Sequence, residues 1–235
     1  MSVINSLKAS VIVPIHPAGY PFIAIFLAVT IFLGIFLGVY FWFAGLIITI
    51  WCIYFFRNPM RYTPQRDSLV LSPADGKIIK ILTAKPPDEL ALNGENWTKI
   101  SIFMSVFDVH VNRSPMTGKV LEKTYFPGTF LNASLDKSSE KNERLSIKML
   151  SNFGKTLSFV QIAGLVARRI ICQVEENNKL MAGEQFGIIR FGSRVDVWLP
   201  NPILIKVTEG QRAYAGETIL ADFEPDKDIG KIRVE

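Results

Sequence analysis

The 235-residue chain carries 26 basic and 21 acidic side chains, which gives a formal net charge of +5. This charge is modest and scattered, with no basic stripe interleaved with aromatic residues, so nucleic acid is excluded as the expected partner. Two cysteines without metal-ligand spacing exclude a zinc site and a disulfide framework, and no metal is expected. An anionic membrane surface suits a small positive charge better.

The first quarter of the chain is apolar. Residues 9–56 contain no Asp, Glu, Lys or Arg, which predicts a membrane-embedded segment. One helix over residues 22–56 would be about 52 Å long, well beyond a hydrocarbon core of about 30 Å. We therefore expect two helices that break near Gly38 or Gly45, either spanning the bilayer as a hairpin or lying in one leaflet. A secretory signal fits poorly, because no small-residue cleavage site follows the run.

Basic residues follow the apolar run at Arg57, Arg61 and Arg66. Basic residues beside a membrane segment stay cytoplasmic and attract anionic lipid head groups. A hairpin also returns the chain to the side where it began. We expect a membrane-associated segment over residues 1–56 and a second domain over residues 57–235, on the cytoplasmic face of the cell (inner) membrane.

The second domain is predicted to be mainly β, because short runs of β-branched residues are bounded by Gly, Pro and Asn. Residues 72–78 (Ser-Pro-Ala-Asp-Gly-Lys-Ile) recur as residues 114–120 (Ser-Pro-Met-Thr-Gly-Lys-Val), each a Pro-initiated turn that feeds a strand. The succession of turns and short strands is similar to that in the barrel-sandwich core of lipoyl and biotinyl domains. A short helix is expected around residues 136–145, within a polar stretch that is either a surface loop or a mobile loop over a site.

Gly192-Ser193 is a candidate self-cleavage site. A serine hydroxyl after glycine can attack the preceding carbonyl, because glycine has no side chain in the way and bends freely. The competing interpretation is an ordinary turn, since Gly-Ser is a common turn dipeptide.

Two further residues are candidates for acid–base chemistry. Strand alternation places His110 on one face with Asp108 and Asn112, and histidine is suited to take a proton near neutral pH. Asp75 is either a turn residue before Gly76 or the carboxylate that orients His110, as in a serine–histidine–acid triad with Ser193 as the nucleophile.

Five short motifs occur in a fixed order along the chain. They are Ser-Pro-Ala-Asp-Gly (72–76), Asp-Val-His-Val-Asn-Arg (108–113), Phe-Pro-Gly (126–128), Asn-Ala-Ser-Leu-Asp-Lys (132–137) and Phe-Gly-Ser-Arg-Val-Asp (191–196). A membrane-anchored, β-rich chain with these motifs in this order resembles the short prokaryotic form of phosphatidylserine decarboxylase, a pyruvoyl-dependent proenzyme. Where longer members read Leu-Gly-Ser-Thr at the cut, this chain reads Phe-Gly-Ser-Arg.

The resemblance implies a self-cleaving zymogen. The cut falls between Gly192 and Ser193 and leaves a larger β chain (1–192) associated with a smaller α chain (193–235). Ser193 becomes a covalent pyruvoyl group that forms a Schiff base with phosphatidylserine in the membrane. Carbon dioxide leaves and phosphatidylethanolamine forms, a step of phospholipid biosynthesis. His110 and Asp75 are the implied catalytic partners of Ser193, and a homo-oligomer is left open.

Two other functions remain open from the sequence. One is a non-catalytic, membrane-anchored barrel-sandwich adaptor, in which Gly192-Ser193 is only a turn. The other is a pyruvoyl decarboxylase of a soluble amino acid, although such a substrate needs no anchor. For the phosphate of a lipid substrate, Arg113, Lys137 and Arg194 are candidates by charge alone.

Overall fold

The computed structural model describes residues 13–94, 96–131, 133, 141–164, 169–190, 192–225 and 227–234. The chain divides into two units, Met1–Met60 and Arg61–Glu235. The first is helical and the second is built from strands, so the prediction of a mainly-β domain after an N-terminal helical segment is confirmed.

Two helices, α1 (Tyr20–Leu37) and α2 (Val39–Phe55), form the first unit after a 3-10 turn at Pro17–Gly19. They break at Gly38, whose φ of +97° is a conformation that other residues avoid. Of the two predicted break points, Gly38 is therefore confirmed, and Gly45 lies inside α2.

The two helices pack against each other as an antiparallel hairpin. The hydroxyls of Thr30 and Thr49 lie 3.1 Å apart across the interface. A Cβ at Gly45 would lie 2.6 Å from the Thr30 Oγ1, so the missing side chain allows the close approach. The segment Pro17–Leu37 is long and apolar enough to cross a membrane by length and composition, and α2 is shorter.

Sixteen strands are assigned among the described residues of the second unit, with a 3-10 turn at Asp88–Leu90. The strands are β1 (Tyr62–Pro64), β2 (Leu69–Leu71), β3 (Gly76–Ala84), β4 (Trp97–Met104), β5 (Val111–Arg113), β6 (Gly118–Phe126), β7 (Arg144–Ser151), β8 (Thr156–Ala163), β9 (Ile170–Cys172), β10 (Lys179–Leu180), β11 (Gln185–Ile189), β12 (Ser193–Pro200), β13 (Leu204–Ile205), β14 (Arg212–Ala213), β15 (Ile219–Asp222) and β16 (Ile232–Val234).

An eight-stranded antiparallel sheet in the order β10-β6-β7-β8-β12-β4-β3-β14 forms the body of this unit. Two three-stranded sheets, β5-β11-β9 and β13-β15-β2, and the pair β1-β16 complete it. The prediction of a short helix around residues 136–145 is wrong at its C-terminal end, because Arg144 and Leu145 begin strand β7. Residues 134–140 lie outside the described residues.

The internal repeat predicted from the sequence is present in the structure. Leu71 donates its N–H to the Pro115 carbonyl at 2.8 Å, and Arg113 donates to the Pro73 carbonyl at 2.9 Å. The two turns thus exchange equivalent main-chain hydrogen bonds. Further pairings correspond as well, because β14 pairs with β3 as β10 pairs with β6.

The second repeat, β5 to β11, is inserted into the first between β4 and β12. In the second repeat the corresponding strands, β7 and β8, are joined directly by a tight turn at residues 152–154. Lys155 lies opposite Ser151 there, as Ser193 lies opposite Met104 in the first repeat. Gly154-Lys155 is therefore the counterpart of Gly192-Ser193, and both glycines have positive φ, +82° and +70°.

Both faces of the central strands are covered. Phe159 of β8 and Val197 of β12 point into the main core, where the Phe159 and Phe186 rings pack 4.9 Å apart. On the opposite face, Trp198 joins a smaller cluster with Trp97. The sequence around Ser193 is therefore part of a fully packed strand.

Replacing Phe159 with Ala tests the importance of this core. Removing a fully buried ring leaves a cavity, so we expect the free energy of unfolding to fall by about 3–5 kcal/mol. The control Leu150→Ala removes a side chain that is 40% exposed. It should change the free energy of unfolding by no more than about 0.5 kcal/mol. Urea denaturation in detergent, followed by near-UV circular dichroism, measures both. Equal losses would contradict the assignment of the core.

Candidate active site

Ser193 is the first residue of β12 and is completely buried. Its neighbours in register are Met104 of β4 and Ala163 of β8. The Ser193 Oγ lies 4.0 Å from the Met104 Sδ, a weak contact that leaves the hydroxyl able to rotate. Gly192 precedes it with a φ of +70°, in the left-handed region that favours glycine.

The structure brings His110 to this dipeptide. The Gly192 N–H donates to the His110 Nε2 at 3.2 Å, and the His110 Nδ1 lies 2.9 Å from the Asp108 carbonyl oxygen. A carbonyl only accepts, so Nδ1 carries the proton and Nε2 presents its lone pair toward Gly192. The imidazole is fully buried, and its basic nitrogen faces the Gly192-Ser193 segment.

Asp75 occupies a different environment from the one expected for a triad acid. Both of its carboxylate oxygens accept from the Arg61 guanidinium, at 2.8 and 2.7 Å, and one also accepts from the Ala215 N–H at 2.7 Å. Burial raises the pKa of the Asp75 carboxyl, while the Arg61 charge and the Ala215 N–H oppose that rise. The imidazole of His110 is held instead by a main-chain carbonyl, and the triad role of Asp75 stays a prediction.

A comparison of the two repeats distinguishes the role of Asp75 as a hydrogen-bond acceptor in its turn from the role of its negative charge. In the second repeat the equivalent residue is Thr117, whose Oγ1 accepts from the Ala182 N–H at 3.0 Å. This turn therefore needs an oxygen acceptor, and a hydroxyl is sufficient. The carboxylate of Asp75 goes beyond that need and neutralises the buried Arg61.

A buried polar cluster beside Ser193 includes one residue that the sequence did not single out. The Gln161 Nε2 donates to the Asn112 Oδ1 at 2.7 Å, and the Asn112 Nδ2 lies 3.6 Å from the Met104 Sδ. Met104 thus contacts both Ser193 and this amide pair. Nothing local in the sequence marks Gln161, because its position depends on the register of β8 with β12.

The polar residues expected in line with His110 have separate partners. Asp108 accepts from the Ser105 N–H and hydroxyl, both at 2.8 Å, and pairs with Arg212. Asn112 belongs to the amide cluster described above. His110 is therefore the member of this predicted row that reaches Gly192.

Several basic side chains that we expected to bind lipid because of their charge instead contact other groups of the protein. Arg61 is buried against Asp75, and Arg66 pairs with Asp222, so their expected contact with lipid head groups is wrong. Two of the phosphate candidates are also buried, Arg113 and Arg194. Arg113 donates to the Gly183 carbonyl at 3.0 Å, and Arg194 forms a two-point pair with Asp196. Lys137 lies outside the described residues.

Two other arginines lie close to the site in sequence and to each other in space. Arg190 precedes Gly192 by two residues, and its pKa is lowered by burial and by the neighbouring charge of Arg169. Arg169 is exposed. The Arg190 N–H donates to the Arg169 carbonyl at 3.4 Å, so the two residues are neighbours in the main-chain pairing.

A double substitution tests the interpretation of Asp75. Asp75→Thr introduces the residue of the second repeat but leaves Arg61 without its main counter-charge, at a cost of about 3–5 kcal/mol in the free energy of unfolding. Adding Arg61→Leu should recover most of that loss, because no buried charge remains. Urea denaturation of the single and double variants measures this coupling. Additive losses would contradict the interpretation.

A comparison with known families identifies the chain. The family model described as phosphatidylserine decarboxylase matches residues 48–221, more than half of the 235 residues. The matched range contains Asp75, His110 and Gly192-Ser193, so the geometry above belongs to the shared region. The resemblance noted in the sequence is confirmed, and the reaction supported is decarboxylation of phosphatidylserine by a lyase. The chain belongs to the phosphatidylserine decarboxylase family.

Proposed function

We propose that this chain is a proenzyme that cuts itself between Gly192 and Ser193 and then uses a pyruvoyl group made from Ser193 to decarboxylate phosphatidylserine. The observation that carries the proposal is the basic Nε2 of His110, 3.2 Å from the nitrogen of Gly192 and one residue from the Ser193 hydroxyl. A lone-pair nitrogen that a serine hydroxyl can reach by rotation is the arrangement that activates a serine nucleophile.

The first step is an acyl shift from nitrogen to oxygen. The Ser193 hydroxyl replaces the Gly192 N–H as the donor to the His110 Nε2, whose lone pair takes the hydroxyl proton, and the serine oxygen attacks the Gly192 carbonyl carbon. The Gly192–Ser193 C–N bond then breaks, and the proton passes from the imidazole to the Ser193 nitrogen. An ester joins the two residues in place of the amide.

The second step releases the new chain ends. Loss of the Ser193 α-proton and cleavage of its Cβ–O bond give Gly192 a free carboxylate and leave a dehydroalanine. The dehydroalanine tautomerises to an imine, which water hydrolyses to ammonia and the pyruvoyl ketone. No oxidant or reductant is needed.

The fold suits a group made in place at Ser193. Bound to the substrate amine, a pyruvoyl ketone supplies an electron sink for the carboxylate bond, as pyridoxal phosphate does. Ser193 and His110 are both fully buried in the uncut chain, so a lipid head group has no access to them. The cut has to precede decarboxylation, because the ketone does not exist until the Ser193 Cβ–O bond has broken.

The two chains are expected to stay together after the cut. Strand β12 belongs to the α chain (193–235) and pairs on both sides with strands of the β chain (1–192). Eight register pairs join β12 to β4, and six join it to β8. Separation would expose this entire ladder.

The apolar helices fit a substrate that stays in the bilayer. A two-chain lipid rarely leaves the membrane, since each buried CH2 contributes about 0.8 kcal/mol. We propose that α1 and α2 attach the protein to the inner membrane, with the β unit on the cytoplasmic face. There it would supply phosphatidylethanolamine for phospholipid biosynthesis.

Ser193→Ala and His110→Ala test the proposed cut. Without the hydroxyl or its base, we expect only full-length chain and background release of CO2 from phosphatidylserine. The control is Ser101→Ala, which removes a buried hydroxyl with no hydrogen-bond partner among the described residues and should cut normally. Intact mass under denaturing conditions separates residues 1–192 from 193–235 and shows whether the smaller chain has lost its amino nitrogen.

The outcomes of this experiment discriminate between the functions. A Ser193→Ala protein that is still cut and active would exclude the proposal. An inert, uncut wild-type chain would favour an adaptor, and release of CO2 from free serine instead of the lipid would favour a soluble substrate.

Arg169 and Arg190 are the proposed contacts for the substrate phosphate. Arg169→Ala should raise the KM for phosphatidylserine in mixed micelles several-fold, with little change in kcat, because binding and not chemistry is affected. The exposed Lys179 of β10 provides the control, Lys179→Ala, which should leave KM unchanged. A fall in kcat alone would contradict this assignment.

A further inference from the structure

We infer that Gly164 positions the carbonyl that is attacked, and that Gly192 is held between Gly164 and His110. This clamp, rather than the Gly-Ser dipeptide or its left-handed turn, selects the bond that is cut. The inference rests on the proposed self-cleavage, and it adds a positioning residue that acts through the main chain of Gly192.

The contact at Gly164 is too close for any other residue. A Cβ built at Gly164 would lie 2.3 Å from the Gly192 carbonyl oxygen and 3.1 Å from its carbonyl carbon. Real Cβ atoms essentially never approach a heavy atom within 3.0 Å. The main chain at Gly164 therefore lies directly against the carbonyl group that the Ser193 hydroxyl has to attack.

Gly192 is held at its other end as well. Before the cut, its N–H donates to the His110 Nε2 at 3.2 Å, while its carbonyl lies against the main chain of Gly164. Gly164 directly follows Ala163, the register partner of Ser193, so the position is maintained by the β8–β12 ladder. A misplacement of about 1 Å at a reacting group can cost about 100-fold in rate.

The repeat provides an internal comparison. The counterpart Gly154 has a φ of +82°, close to the +70° of Gly192, yet its N–H donates within its own turn, to the Ser151 carbonyl at 2.9 Å. A Cβ at Gly154 would meet nothing within 4 Å. The two glycines thus have similar φ angles, but the base and the close glycine are found at Gly192.

The first experiment compares two Gly→Ala substitutions in the full chain. We expect Gly164→Ala to slow the appearance of chains 1–192 and 193–235 by about 100-fold or more. The control is Gly118→Ala, whose Cβ would lie 2.4 Å from the Leu150 carbonyl oxygen, a similar clash on another strand pair. It should affect the urea midpoint but not block the cut.

A second readout separates positioning from general damage to the fold. In the fraction of Gly164→Ala that does cut, CO2 release per pyruvoyl group, titrated with a hydrazine, should equal that of wild type. Equal slowing of the cut by both alanine variants, or normal cutting of Gly164→Ala, would overturn the inference.

The second experiment does not depend on whether Gly164→Ala folds. Lys155→Ser places a Gly-Ser dipeptide in the turn between β7 and β8, where residue 155 is partly exposed. We expect one cut, after Gly192, and none after Gly154 in the time that wild type needs for completion. A second cut, after Gly154, would show that the turn alone is sufficient and would exclude the clamp.

Loss of the self-cleavage proposal and loss of the clamp would give different results. Cutting of Ser193→Ala would remove the proposed self-cleavage altogether. If Ser193→Ala stays uncut while Gly164→Ala cuts at the wild-type rate, self-cleavage stands and only the clamp is excluded.

Discussion

The site depends on the pairing of β12 with two neighbours at once. Strand β4 on one side and β8 on the other place Ser193 opposite Met104 and Ala163. A slip of one residue in either ladder would turn the Ser193 side chain to the other face of the sheet. The packed core on one face and the tryptophan cluster on the other make such a slip costly. The position of the serine is thus a property of the whole sheet.

The two repeats place equivalent glycines in different surroundings. In the second repeat a short turn joins β7 and β8, and its Gly154 lies in open space. In the first repeat the same connection is interrupted by the inserted second repeat, which supplies His110 and Gly164 around Gly192. The insertion therefore builds a buried environment at a point where a hairpin would otherwise be exposed to solvent.

The same comparison changes the interpretation of Asp75. Its turn function is fulfilled by a threonine hydroxyl in the second repeat, so the carboxylate has another purpose. In the uncut chain that purpose is to neutralise the buried Arg61. An ion pair of this kind contributes little net stability but is costly to break. Any catalytic role for Asp75 has to operate in that environment, with Arg61 as its immediate neighbour.

The sequence by itself determined the helical hairpin, the mainly-β domain, the repeat and the family, because apolar runs, alternation and short motifs are local patterns. It also named Gly192, Ser193 and His110, which the fold brings together. It could not give the partner of Asp75 or the burial of Arg61 and Arg194, since a charge looks the same in sequence whether it meets lipid or a carboxylate. Gln161 and Gly164 carried no local signal. Only the tertiary structure decided their positions, because strand register sets which distant residues share a face.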